Sequence, residues 1–144
     1  MGKNELIDIL AQGVKVWNEW RKENKNIKID LDDSDLSRIR NLQGVDFSNA
    51  SLVNTSFYSN NLANANFSNA NLELVIMRDT NCEQANFLNA ILNLSNLQSV
   101  NLVGANFTNA VSGMATFKKC DFTGAIISNS IKLTLNQYSD QNIV

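Results

Sequence analysis

Histidine and proline are both absent from the 144 residues, and only two cysteines occur, Cys82 and Cys120. Without histidine the chain lacks the commonest general base and the commonest metal ligand. Without proline no backbone N–H after the first is withheld from a ladder of strands. No apolar run is long enough to span a bilayer, and Glu5 and Asp8 interrupt what would be the apolar segment of a signal peptide. Leu6 stands where a myristoylation signal needs Ser or Thr. A cytoplasmic protein is the resulting expectation. Charge is scarce too: the formal net charge is -2, and no basic stripe offers a nucleic acid its counterion-releasing contacts. No phosphate-binding glycine loop occurs. At this length one architecture should account for nearly the whole chain.

What is present is a beat. From Leu42 an apolar residue returns at every fifth position: Phe47, Leu52, Phe57, Leu62, Phe67, Leu72, Met77, Cys82, Phe87 and onward to Ile127. Helices repeat their apolar face every three or four residues and strands every second, so this period belongs to neither. A second series of mostly small residues runs two positions earlier, among them Val45, Ala50, Ala65, Ala70, Ala85, Ala105 and Cys120. Leu31 and Leu36 keep the beat one residue out of phase, an offset that a single insertion in SRIRNL absorbs. Ser112, beside Gly113, is the one polar residue on the main series, and a loosened or bulged segment is expected there.

The tripeptides ANF (65–67), ANL (70–72), ANF (85–87), ANF (105–107) and CDF (120–122) resemble the A-[DN]-[LF]-x-x motif of the pentapeptide-repeat family. The resemblance covers residues 31–130. It implies an all-β fold, a right-handed quadrilateral parallel β-helix of about five four-pentad coils. Residues twenty apart would then stack at the strand spacing of roughly 4.8 Å. The residue types sort accordingly: Phe47, Phe67, Phe87 and Phe107 form one column, and stacked rings gain contacts beyond burial. The asparagines that precede the apolar centres, such as Asn61, Asn66, Asn81 and Asn101, are placed to bond nearby backbone and to stack as a ladder.

An open β-helix ends in unpaired strand edges, which need covering. Residues 4–22 place Leu6, Leu10, Val14 and Trp17 on one helical stripe, an N-terminal capping α-helix with Trp17 closing the first coil. The acids spread along it favour a cap over a membrane-surface helix. At the other end, Thr134 is the expected N-cap of a short C-terminal cap carrying Leu135 and Tyr138. The division is therefore a capping helix and linker (1–30), the β-helix (31–130) and a C-terminal capping segment (131–144).

The search for chemistry returns little. Cys82 and Cys120 fall at inward positions on one face two coils apart, roughly 9.6 Å by the strand spacing, so inert reduced thiols are expected rather than a disulfide. The cluster Asp30, Asp32, Asp33 and Asp35 lacks the glycine and distal glutamate of an EF-hand loop and reads as solvated corners. No catalytic residue, cofactor, metal or small-molecule substrate is indicated, and an enzyme is not expected. One anomaly stands out: Leu74, Leu94 and Met114 share an outward corner, with Ile76 just after it and Ile91 and Val111 just before it. An apolar patch on a polar prism is either an interface, with a partner or in a homodimer, or a surface covered by the C-terminal tail through Leu133, Leu135, Ile143 or Val144. The leading functional expectation is a non-enzymatic scaffold or protein-interaction module. The alternative implied by the family is a DNA-mimicking inhibitor or protector of a DNA-binding enzyme such as DNA gyrase. That mimicry needs a strongly acidic face, whereas Asp46, Glu73, Asp79, Glu83 and Asp121 are scattered among Arg78, Lys118 and Lys119.

Overall fold

Each five-residue segment ends in a tight turn, and the turn is what makes the repeat fold back on itself. After Phe47 the chain passes Ser48 and then Asn49 at φ 59°, and the Ala50 N–H returns to the Phe47 carbonyl at 3.1 Å. A positive φ at the second turn residue is the signature of a type II turn, which favours Gly or Asn there. Repetition brings residues one full circuit apart into register: Phe47 N–H donates to Asn66 C=O at 2.8 Å, and Asn66 N–H to Val45 C=O at 2.9 Å.

The computed structural model describes residues 1–137, and its strands form parallel pairings in four rows. Face I carries Asp30, Ser51, Asn71, Ile91 and Val111; face II carries Asp35, Ser56, Ile76, Asn96 and Thr116. Face III carries Asn41, Asn61, Asn81, Asn101 and Asp121, and face IV Asp46, Asn66, Asn86, Asn106 and Ile126. On face II the pairing is extensive enough for true strands, β1 (Ile76–Arg78), β2 (Asn96–Gln98) and β3 (Thr116–Lys118). The extra residue sits between positions 36 and 41: the pairing offset is 21 at Asp35↔Ser56 and 20 at Asn41↔Asn61. This is a repeat fold of the β-helix type.

The apolar beat fills the interior. Phe47, Phe67, Phe87 and Phe107 are fully buried, and the Phe87 and Phe107 rings stack at 4.6 Å with 1° between planes. Outside, the asparagines work twice: the Asn101 carboxamide oxygen accepts the Val103 N–H at 3.0 Å, while its amide donates to Asn81 at 3.1 Å.

At the N-terminus, the expected single helix over 4–22 is two, α1 (Lys3–Ala11) and α2 (Val14–Glu23). Gly13, at φ 113°, breaks the stripe, a conformation open to glycine but strained for any side chain. The break lets Leu6 and Leu10 from α1 and Trp17 from α2 reach one core, with Trp17 set edge-on against Phe47 at 5.8 Å. Side chains of α2 then stand in for a missing strand. Trp17 Nε1 donates to Asp46 C=O, Asn18 bonds both Gly44 C=O and Asp46 N–H, and Arg21 donates to Ser48 C=O, all within 3.0 Å.

At the other end, two expectations fail together. The backbone around Ser112 is not bulged: Leu94 N–H reaches Gly113 C=O at 2.8 Å, and Ala115 N–H closes the turn onto Ser112 C=O at 3.1 Å. Thr134 is not an N-cap; it lies inside α3 (Asn129–Gln137), whose N-cap is Ser128, receiving the Ile131 N–H on its hydroxyl at 3.2 Å. Tyr138 lies outside the described residues. The two polar residues explain each other, because the buried Thr134 hydroxyl is 2.9 Å from that of Ser112 and 2.8 Å from its carbonyl. Ser130 accepts the Ser112 N–H and Ser128 donates to Ala110 C=O, so α3 hydroxyls occupy the edge groups that a further coil would have used. Thr134→Val, nearly isosteric, should therefore leave the Ser112 hydroxyl buried and unpaired. Urea unfolding should show a loss of about 1–3 kcal/mol with the native circular dichroism unchanged; an unaltered midpoint would contradict this pairing.

Candidate functional site

Of the three outward positions in each pentad, two have structural duties. The residue before the apolar centre bonds its own turn in most pentads where it is Asn or Asp, and the second turn residue, in all but the pentad after Leu36, holds a left-handed backbone. Asn49, Asn54, Ser59, Asn64, Asn69, Asp79, Gln84, Asn89, Ser99 and Asn109 fill that left-handed site at φ between 55° and 59°. Asn and Asp tolerate it better than other side chains, which pay roughly 1–2 kcal/mol for the same backbone.

Leu74, Leu94 and Met114 occupy this site as well, at φ 59°, 60° and 58°, and on successive coils of one corner. They are not buried in compensation: Leu74 is 43 % exposed, Leu94 45 % and Met114 68 %. Leu74 N–H donates to Asn93 C=O and Leu94 N–H to Gly113 C=O, so the three side chains emerge one above another. On the same face Ile91 pairs with Val111, and both are exposed. Ile76 begins β1 on face II beyond the corner and is half-buried. The structure thus brings Leu74, Leu94, Met114, Ile91 and Val111 onto face I, with Ile76 at the margin. Gly113 lies between the Val111 and Met114 positions and contributes no side chain, and its N–H bonds the Asn93 carboxamide at 2.7 Å.

Two of the residues that could have covered this surface lie elsewhere. Leu135 packs on the core, and Leu133 is itself 62 % exposed; Ile143 and Val144 lie outside the described residues. One apolar residue escaped the sequence reading: Ile126, 59 % exposed, lines a groove of about 420 Å³ together with Val111 and Ser128. Its signal is the one that marks Ile91, an apolar residue in a row otherwise filled by Asp46, Asn66, Asn86 and Asn106.

The remaining chemistry-bearing groups have internal partners. Asp32 accepts Ser51 Oγ at 2.6 Å and Val53 N–H at 2.8 Å; Asp33 accepts the Asn54 amide; Asp35 accepts both the hydroxyl and the N–H of Ser37, which holds its carboxyl below the usual range. Cys82 and Cys120 are buried free thiols, each pushed up to about 12 by burial and hence protonated at neutral pH. Among the described residues no three His, Cys, Asp or Glu side chains converge as metal ligands, and no helix is long and apolar enough to cross a membrane.

Comparison with known proteins bears on the fold. The family model for pentapeptide repeats matches residues 41–79 and 76–111, in eight copies. Among solved structures, a pentapeptide repeat protein of the Arabidopsis thaliana thylakoid lumen is similar at 26 % identity over 71 % of this chain and 78 % of that one, with a TM-score of 0.36. A pentapeptide repeat protein from Nostoc gives 25 % identity over 84 % and 92 %, TM-score 0.44. QnrB1, a plasmid-mediated fluoroquinolone resistance protein, gives 15 % over 78 % and 96 %, TM-score 0.26. No curated protein matches the chain.

The corner makes a testable statement about strain. Leu94→Asn replaces an exposed Leu at φ 60° with a residue suited to that backbone, and should stabilise the isolated chain by about 1 kcal/mol in urea unfolding. A loss of stability would mean that Leu94 packs within its own chain.

Proposed function

The chain belongs to the pentapeptide-repeat family, and on that premise we propose that it is a non-enzymatic scaffold or protein-interaction module working through the apolar corner of face I. The proposal takes the finer architecture to be a right-handed quadrilateral helix of about five coils over residues 31–130. Segments 1–30 and 131–144 act as its caps, and the setting is cytoplasmic. The partner is a protein; nucleic acid, membrane and small-molecule ligands have no evident place on this surface. One observation carries the reading: Leu74, Leu94 and Met114 hold a backbone that disfavours them while remaining exposed. Asn or Gly would make the same backbone bond without the side-chain cost, so Leu and Met at this site point to a compensation beyond the described residues.

The test is capture by the immobilised full chain, compared with the Leu94→Glu, Met114→Glu double variant. Both positions are exposed, so the variant should keep its fold by circular dichroism and lose the proteins that wild type retains. Identical captured sets would remove the corner from the function.

The reading as a DNA mimic has less support. Of the acids on the repeat, Asp30, Asp32, Asp33 and Asp35 crowd the first coil, while Asp46 lies on face IV, Asp121 and Glu83 on face III, Asp79 at the end of face II and Glu73 on face I, so no face carries acids on successive coils as a phosphate-like row. Added protein should therefore leave the supercoiling activity of DNA gyrase unchanged, and inhibition or protection would reinstate the mimic.

A further inference from the structure

We propose that a notch in the first coil, at the corner between faces II and III, binds a phosphate group. It lies one face on from the apolar corner and is independent of the interaction reading above. The notch is formed at the inserted residue, which the backbone bonds identify as Arg40. In a regular pentad one residue both closes the turn and pairs with the next coil: Val45 N–H donates to Leu42 C=O at 3.0 Å, and Val45 C=O accepts the Asn66 N–H at 2.9 Å. After Leu36 these duties are divided. Ile39 N–H closes the turn onto Leu36 C=O at 3.0 Å, whereas Arg40 C=O accepts the Asn61 N–H at 2.8 Å. Arg40 is therefore the extra residue, and its exposed guanidinium is what the insertion adds to the surface. The same turn lacks a left-handed residue. Elsewhere that residue aims an N–H at the next coil, as Ser59 does at Arg78 C=O. Here, among the described residues, the N–H groups of Arg38 and Arg40 donate to no carbonyl.

Ser37, Arg38, Arg40, Tyr58 and Ser59 line a notch of about 280 Å³. This is at the lower edge of the roughly 300–1,000 Å³ typical of small-molecule pockets, so it suits a compact ion better than an organic cofactor. Its donors are two guanidinium forks and the hydroxyls of Tyr58 and Ser59, on a backbone whose N–H groups at 38 and 40 are unpaired. Guanidinium groups match phosphate oxygens in pairs, and unpaired N–H groups in a concavity favour an anion. These donors outnumber what the two oxygens of a carboxylate can use, whereas a phosphate monoester brings three acceptor oxygens and nearly two charges. The surroundings agree. Of the six Lys and Arg after residue 30, five stand on this corner: Arg38, Arg40, Arg78, Lys118 and Lys119. Its acids are Asp35 and Asp79. Arg38 acts on Asp35 through space, but that carboxylate takes its hydrogen bonds from the hydroxyl and N–H of Ser37, at 2.6 and 3.0 Å.

Inorganic phosphate titrated into the ¹⁵N-labelled full chain at fixed ionic strength should shift the amide and guanidinium resonances of Arg38 and Arg40 saturably, and chloride or acetate should not. Arg40→Gln should weaken phosphate binding about 10-fold with the circular dichroism unchanged. Lys118→Gln, on the same corner but four coils and roughly 19 Å away, lies beyond the Debye length of about 10 Å and should leave it unaltered. The same titration with a phosphoserine peptide, and cosedimentation with phosphatidylcholine vesicles carrying phosphatidic acid, identify the source. Tighter binding of either than of inorganic phosphate supports the site and assigns the group to a protein or to a lipid; preference for neither supports it as a site for the free ion. Shifts that do not saturate, or that chloride reproduces, overturn the proposal. So does an effect of Lys118→Gln equal to that of Arg40→Gln, which would make the attraction a property of the whole corner. None of these outcomes bears on the capture experiment, because no residue of the apolar corner lines the notch.

Discussion

A left-handed residue at every corner but the one after Leu36 is the constraint on which this structure depends. Fifteen non-glycine residues hold φ between 55° and 60°, and each such conformation opposes folding unless something offsets it. The offset is visible at the same residues. Asn49 N–H donates to Ser68 C=O on the next coil at 2.9 Å, Asn64 N–H to Glu83 C=O at 2.8 Å and Asn89 N–H to Thr108 C=O at 2.9 Å. The corner that costs strain within a coil is thus what aims an N–H at the coil below, so no pentad is stable without its neighbours. Asparagine abounds because it serves two different needs, tolerating the left-handed site and, three residues earlier in the pentad, accepting its turn's N–H.

Such a ladder needs an end, and both ends solve the problem with helix side chains. On face IV, Trp17, Asn18 and Arg21 meet the backbone groups of residues 44–48; under face I, Ser128 and Ser130 meet those of Ala110 and Ser112. These contacts satisfy groups that would otherwise invite pairing with another chain. The interior adapts in the same way where the repeat falters. The inserted residue between Leu36 and Asn41 leaves two carbonyls inside, of Leu36 and Ile39, and the buried Asn60 amide donates to both at 3.2 and 2.7 Å.

These adaptations mark the boundary of what could be read from sequence. The period of five, the return after twenty, the phase slip in SRIRNL and the outward corner at Leu74 are all properties of spacing, and spacing is explicit in the chain. The pairing of Ser112 with Thr134 and of Asn60 with Leu36 and Ile39 is not, because each joins residues 21 or more apart whose partner is set by three-dimensional packing. Ser112 alone looked like a defect and becomes an anchor only when α3 is beneath it. Gly13 was a missed cue of a different kind: an isolated glycine within an apolar stripe is compatible with one helix, and only the need to bring both Leu10 and Trp17 to the core forces the break.

The same reasoning separates function from architecture on face I. The outward position before the centre is Asn or Asp in most pentads and secures its turn, as Asn71 does by accepting the Glu73 N–H at 3.0 Å. Ile91 and Val111 have no atom that can accept such a bond, and forgoing it costs about 1 kcal/mol. Leu94 and Met114 add left-handed strain of similar size on the same two coils. Within the described residues nothing is gained in return, since all four side chains remain exposed. Both departures from the repeat fall together on one face and in adjacent coils, where a folded monomer has no use for them. A compensating term would be apolar surface removed from water by something other than residues 1–137, and that is the physical ground for proposing face I as an interface.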